Sequence, residues 1–141
     1  MPPASTVPTV LFACVHNAGR SQMAAAWFTA LADPARAAAL SAGTRPAAHV
    51  HPEVVAAMQE AGIDLSRTTP RLLTPDLARS AALLVTMGCG EECPVVPGLA
   101  REDWPFADPK GRTLSEVRSS RDAIRARVLR LLADREWVAS S

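Results

Sequence analysis

Residues 8–13, Pro-Thr-Val-Leu-Phe-Ala, form a short apolar run that stops at the polar, glycine-containing stretch Cys14 to Ser21. An alanine-rich segment follows to about Leu31. This order predicts strand, loop, helix, and it repeats. A weaker apolar run, 37–42, stops at Gly43, and Pro52 stands where a first helical residue would, ahead of Val54, Val55, Met58 and Ala61 at helical spacing. Thr74-Pro75-Asp76 predicts a helix over 75–80, and Ala82-Leu83-Leu84-Val85-Thr86 reads as a buried strand running straight into Met87-Gly88-Cys89-Gly90.

The prolines 94, 97, 105 and 109 make 94–111 a loop, with at most a short strand near Val95-Val96. Leu114, Val117, Ile124, Val128, Leu131 and Leu132 then recur on one face of a helix expected from about 114 to 136, with Arg121, Arg125 and Arg130 on the other side. Strands alternating with helices indicate an α/β fold with a parallel sheet covered on both faces, in which loops at the carboxyl ends of the strands build the site. Cys14, Cys89 and Asp108 all fall in such loops. The 141 residues, 48% apolar and without repeat or linker, are expected to form one domain over 1–141.

A formal charge of +1, from 15 basic and 14 acidic side chains, provides no net attraction to nucleic acid or to an anionic membrane, so any anion site must be local. The arginine-rich closing helix also carries Glu116, Asp122 and Asp134 and no base-stacking motif, the pattern of a solvated face. Met1 to Pro8 has no secretion signal and no segment approaches a membrane span, so a cytoplasmic protein is expected. Three cysteines, 14, 89 and 93, are an odd count that argues against structural disulfides and leaves reactive thiols or metal ligation. No Cys-x2-Cys pair occurs, and His49 and His51 flank a different segment from His16, so no metal is expected.

Cys14-Val15-His16-Asn17-Ala18-Gly19-Arg20-Ser21 follows a strand and opens a helix, so its backbone N–H groups and the positive helix end point at one small volume that suits a tetrahedral oxyanion. A thiol at the mouth of that volume shares the same donors, and Cys14 is expected to act as a nucleophile. Arg20 can curl over the loop and offer a planar fork to two oxygens. Ser21 can donate to the Cys14 sulfur and Asn17 can brace the loop, with Gly19 permitting unusual dihedrals. His16 is expected to shape the loop rather than carry a proton. Cys89 and Cys93 are four residues apart, and Gly88 and Gly90 let the chain bend enough for a reversible disulfide.

Cys-x5-Arg-Ser near the start of the chain resembles the low-molecular-weight tyrosine phosphatase superfamily, and Cys14-Val-His-Asn-Ala-Gly-Arg-Ser-Gln-Met23 resembles its arsenate reductase branch. The likeness implies a flavodoxin-like three-layer sandwich with a four-stranded parallel sheet in the order 2-1-3-4, and it assigns Asp108-Pro109 to the family's distant Asp-Pro loop. It implies that Cys14 attacks arsenate held by residues 15–21 and that Asp108 assists departure of water. Cys89 then attacks Cys14, and Cys93 resolves the disulfide; residues alone would allow the two to exchange roles. No tightly bound cofactor is implied. Electrons would come from thioredoxin or a low-molecular-weight thiol, including a mycothiol and redoxin system, with phosphate or sulfate competing and the protein monomeric. Ala25 stands where part of the branch has an acidic potassium ligand, so no potassium requirement is expected. The rival expectation is phosphomonoester hydrolysis, with Trp104 and Phe106 available as a substrate wall; it leaves Cys89 and Cys93 idle, and Lys110 replaces the aromatic residue common after Asp-Pro.

Overall fold

The computed structural model describes residues 7–88, 95–106 and 111–139. β1 (Thr9–Cys14) lies inside the sheet because its side chains are apolar on both faces. Alternation along a strand sends Val10, Phe12 and Cys14 to one side and Leu11 and Ala13 to the other, and Val10 to Ala13 are each 0% exposed. β2 (Ala38–Gly43) pairs with it in parallel, Thr9 opposite Ala38 and Cys14 opposite Gly43. β3 (Leu83–Thr86) pairs along its other edge, Val10 opposite Leu83.

The stretch 94–111, expected to be loop with at most a short strand near Val95-Val96, holds a strand at 100–103 and none at Val95-Val96. The fourth strand is β4 (Ala100–Asp103), paired in parallel with β3, and Val95 is 83% exposed. Its sequence Ala-Arg-Glu-Asp carries no apolar pattern because it is an edge strand, where charged side chains deter further pairing. The order is β2-β1-β3-β4, as the family resemblance implied.

Helices α1 (Arg20–Leu31), α2 (Pro52–Glu60) and α4 (Leu114–Arg135) pack with the Val10–Phe12–Cys14 face, and α3 (Pro75–Arg79) supplies Ala78 to the opposite core with Leu11, Ala13 and Leu84. This is the three-layer α/β sandwich. Helix starts follow local chemistry. Pro52 and Pro75 occupy first-turn positions, and the Thr74 side chain accepts from the Leu77 N–H. Thr113 and Glu116 form a reciprocal capping box at the head of α4.

Val117, Ile124, Val128, Leu131 and Leu132 are the buried face of α4, as their spacing predicts. The opposite side is not merely the solvated face that its charge pattern suggests. The Arg121 side chain is 14% exposed and donates to the Ala57 carbonyl at 2.8 Å, and the Arg125 guanidinium lies 5.4 Å from the Trp27 ring centre. In α2, Val54, Ala57 and Met58 are buried, while Ala61 is the exposed residue that ends the helix. Among the described residues, no helix is long and apolar enough to cross a membrane.

Candidate active site

Cys14 is the last residue of β1, 2% exposed, with a free thiol. Its Sγ lies 2.9 Å from Ser21 Oγ, which also accepts from Asn17 Nδ2 at 2.7 Å. The Asn17 amide orientation follows from its other end: Oδ1 accepts the Arg71 backbone N–H at 2.9 Å and Gln22 Nε2 at 3.1 Å, so the NH2 must face Ser21. With Cys14 ionised, the Ser21 hydroxyl is the donor to sulfur.

Gly19 was expected to supply the unusual dihedrals of the loop. Gly19 does so, at φ −142° and ψ −92°, outside the regions that residues with a side chain occupy, and Asn17 adds a positive φ of 50°. Asn is one of the few residues that tolerate left-handed backbone, and here both ends of its amide are held while it is 0% exposed. Two further supports could not be read from the motif. Gln22, 4% exposed, donates to the Asn17 carbonyl at 3.0 Å. Gly43 lies under the loop so closely that a Cβ there would sit 2.6 Å from the Val15 carbonyl oxygen and 2.8 Å from the Asn17 nitrogen.

The carbonyls of Cys14, Val15, His16 and Ala18 accept from the backbone N–H groups of Thr44, Arg45, Ala47 and His51, all in the segment after β2. The Asn17 carbonyl is taken by Gln22. In a trans peptide N–H points away from the adjoining C=O, so the N–H groups of residues 15–19 turn away from those partners. Gly19 caps α1 without a side-chain bond and the first turn holds no acid, which leaves the positive helix end open to an anion. His16 thus acts through its backbone, and His51 caps α2.

Arg20, 6% exposed, reaches across the carboxyl ends of the strands and donates from NH1 to the Phe106 carbonyl at 3.1 Å. The same nitrogen lies 2.1 Å from where a Cβ on Gly88 would stand. Cys89, Cys93 and Asp108 lie outside the described residues. Their flanks are placed: the Met87 N–H donates to the Ala13 carbonyl at 2.7 Å, and the Trp104 N–H to the Thr86 carbonyl at 2.7 Å. Trp104, a candidate substrate wall, is 2% exposed, packs on Phe12 at 5.5 Å and lies under the Arg127 guanidinium; it is core.

The Asp103 carboxylate closes the ends of β3 and β4 by accepting from the Thr86 hydroxyl. That bond, helped by Arg101, holds its pKa below the ordinary carboxylate value.

Residues 9–138 match the low molecular weight phosphotyrosine protein phosphatase family. The chain belongs to it. Within this family, the chain is 41% identical over 128 residues to a Halobacterium salinarum protein provisionally named an arsenate reductase, covering 85% of this chain and 87% of that one. An arsenate reductase of Staphylococcus aureus strain Newman is 37% identical over 125 residues, covering 85% and 92%. The solved Corynebacterium glutamicum thioredoxin-dependent arsenate reductase superposes with a TM-score of 0.79 at 38% identity, covering 94% of this chain; this chain spans 63% of that one.

Proposed function

We propose that this phosphatase-family chain reduces arsenate to arsenite, with Cys14 as nucleophile and Cys89 and Cys93 as the thiols that carry the electrons out. The observation that carries the reading is Arg20, which rises from the oxyanion loop and rests on Gly88 and Phe106, the flanks of the two segments that hold Cys89 and Asp108. The relatives named as arsenate reductases support the same substrate.

In the first step the Cys14 thiolate attacks arsenic, and a water departs with a proton from Asp108, leaving a Cys14–arsenic(V) bond. The N–H groups of residues 15–19, Arg20 and Ser21 hold the arsenate oxygens. Cys89 then attacks Cys14 Sγ. A sulfur–sulfur bond forms, the sulfur–arsenic bond breaks, and its electron pair leaves with arsenic as arsenite. Cys93 attacks Cys89, freeing Cys14 as thiolate and leaving a Cys89–Cys93 disulfide for thioredoxin or a low-molecular-weight thiol to reduce. The setting is the cytoplasm, in arsenic detoxification, with phosphate and sulfate as competitors. Hydrolysis of a phosphate ester would use the same loop, but it gives Cys89 and Cys93 no task, and Trp104 is committed to the core.

The test is arsenate-dependent NADPH oxidation with thioredoxin and its reductase, comparing the parent with Cys89→Ser and Cys93→Ser. Both variants are expected to lose thioredoxin-coupled turnover. Full turnover in both would rule out the three-thiol relay.

A further inference from the structure

Gly88 is exposed and immediately precedes Cys89, and its φ of 94° is a backbone that side chains rarely adopt. That alone would explain a glycine. A second observation is independent of the backbone. A Cβ at this position would fall 2.1 Å from Arg20 NH1, 3.2 Å from Arg20 Cζ and 3.6 Å from the Phe106 carbonyl oxygen. The volume a side chain would fill is therefore occupied by the Arg20 guanidinium.

The walls of that slot are firm. Met87 is 0% exposed and bonded to the end of β1, which fixes the backbone entering Gly88. Phe106 is bonded through its N–H to the Trp104 carbonyl at 3.0 Å and packs against the core. Arg20 itself starts at the first residue of α1. A long flexible side chain is thus held at its root by a helix and at its tip by a carbonyl and a bare backbone. An unheld guanidinium would sample many rotamers, and oxyanion binding would have to order it each time.

From this we infer that Gly88 is a positioning residue for oxyanion binding: its missing side chain is the seat of the Arg20 guanidinium, and any side chain there weakens oxyanion affinity by displacing Arg20. The inference rests on the reading of residues 14–21 as the oxyanion loop. It also gives the residue before Cys89 a task separate from thiol chemistry.

The experiment measures iodoacetamide modification of the Cys14 peptide by mass spectrometry over rising phosphate or arsenate, on the full chain. Gly88→Ala and Gly88→Asn are compared, because Asn accepts a left-handed backbone yet carries a Cβ. The concentration giving half protection is expected to rise at least tenfold in both. In an Arg20→Lys background, Gly88→Ala is expected to add less than a twofold further loss, since the two act through one group. Parent-like protection in Gly88→Asn would trace the glycine to backbone strain and overturn the inference, as would an undiminished Gly88→Ala loss in the Arg20→Lys background. If Gly88→Ala does not fold, Gly88→Asn carries the comparison. Failure of either oxyanion to protect Cys14 in the parent would instead remove the oxyanion-loop reading itself.

Discussion

The oxyanion loop and the outer seam between α2 and α4 are both polar networks, and they differ in where the polar atoms lie. In the loop, Asn17, Ser21 and Gln22 are 0%, 0% and 4% exposed, and each accepts or donates within a closed set. At the seam, Glu60 receives Arg118 at 2.6 Å and Arg121 at 2.9 Å, with side-chain exposures of 39% for Glu60 and 45% for Arg118. Taking one partner from a buried set leaves the others unsatisfied with no water to replace it. Taking one from an exposed set lets solvent substitute, and the attraction is already screened. The single shortest contact, 2.6 Å, is at the seam, and the greater consequence is in the loop.

The largest effect that could break this contrast is Asn17→Ala. It removes the acceptor of the Arg71 N–H, one of the two acceptors of Gln22 and the donor to Ser21 at once, and asks Ala to hold φ 50°. Urea unfolding is expected to show a loss of roughly 2 kcal/mol or more, from buried partners left unmade plus the left-handed backbone. Arsenate turnover should fall with it. A stability change within error would show that the loop network is as replaceable as the surface.

Gln22→Ala should do less, about 1–2 kcal/mol in the same measurement, because Asn17 keeps its bonds to Ser21 and Arg71. Its cost is expected to be insensitive to 1 M salt. A loss that shrinks with salt would place Gln22 with the surface group.

Smallest of all is Glu60→Gln at neutral pH, where any shift in the urea midpoint should be below that of either loop variant. Its pH signature is sharper. Hydrogen bonds from Arg118, then Arg121, hold the Glu60 carboxyl down at about 2 against an ordinary 4.5. The carboxylate's contribution is therefore complete above about pH 4.5 and is lost as pH falls toward 2. Asp122 is held down beside it by Arg121, so the difference between parent and variant is the quantity to read. That difference should narrow from about pH 5 to about pH 3, and a constant difference would mean that Glu60 acts through packing.

The interior of the fold was legible because burial writes itself into spacing. Val10 to Ala13 and Leu83 to Val85 are apolar on both faces, and the stripe from Val117 to Leu132 has helical period. β4 was not legible, since an edge strand has one side in water and its Ala-Arg-Glu-Asp sequence carries no pattern that burial imposes. Arg121 was misread for the related reason that a charged residue on the outer side of a helix looks the same whether it meets water or the carbonyl of Ala57.

Within the site, Cys14, Arg20 and Ser21 were readable because their chemistry is local: a strand, a tight loop and a helix start lie within eight residues of one another. Gln22 was not, because nothing in the spacing shows its amide turning back onto the Asn17 carbonyl, and Gly43 and Gly88 were not, because each meets a group that the chain brings from elsewhere. Gly43 meets the loop only since β2 lies in register with β1, Cys14 opposite Gly43, and Gly88 meets Arg20 only since β3 lies on the other side. The amino-acid order thus determined that an oxyanion loop with a thiol would form, through periodicity and helix-terminus chemistry that act over one or two turns of chain. Which residues hold that loop closed, and that Arg20 is seated on the backbone leading to Cys89, depended on sheet order and register, which arise only when strands distant in sequence pack side by side.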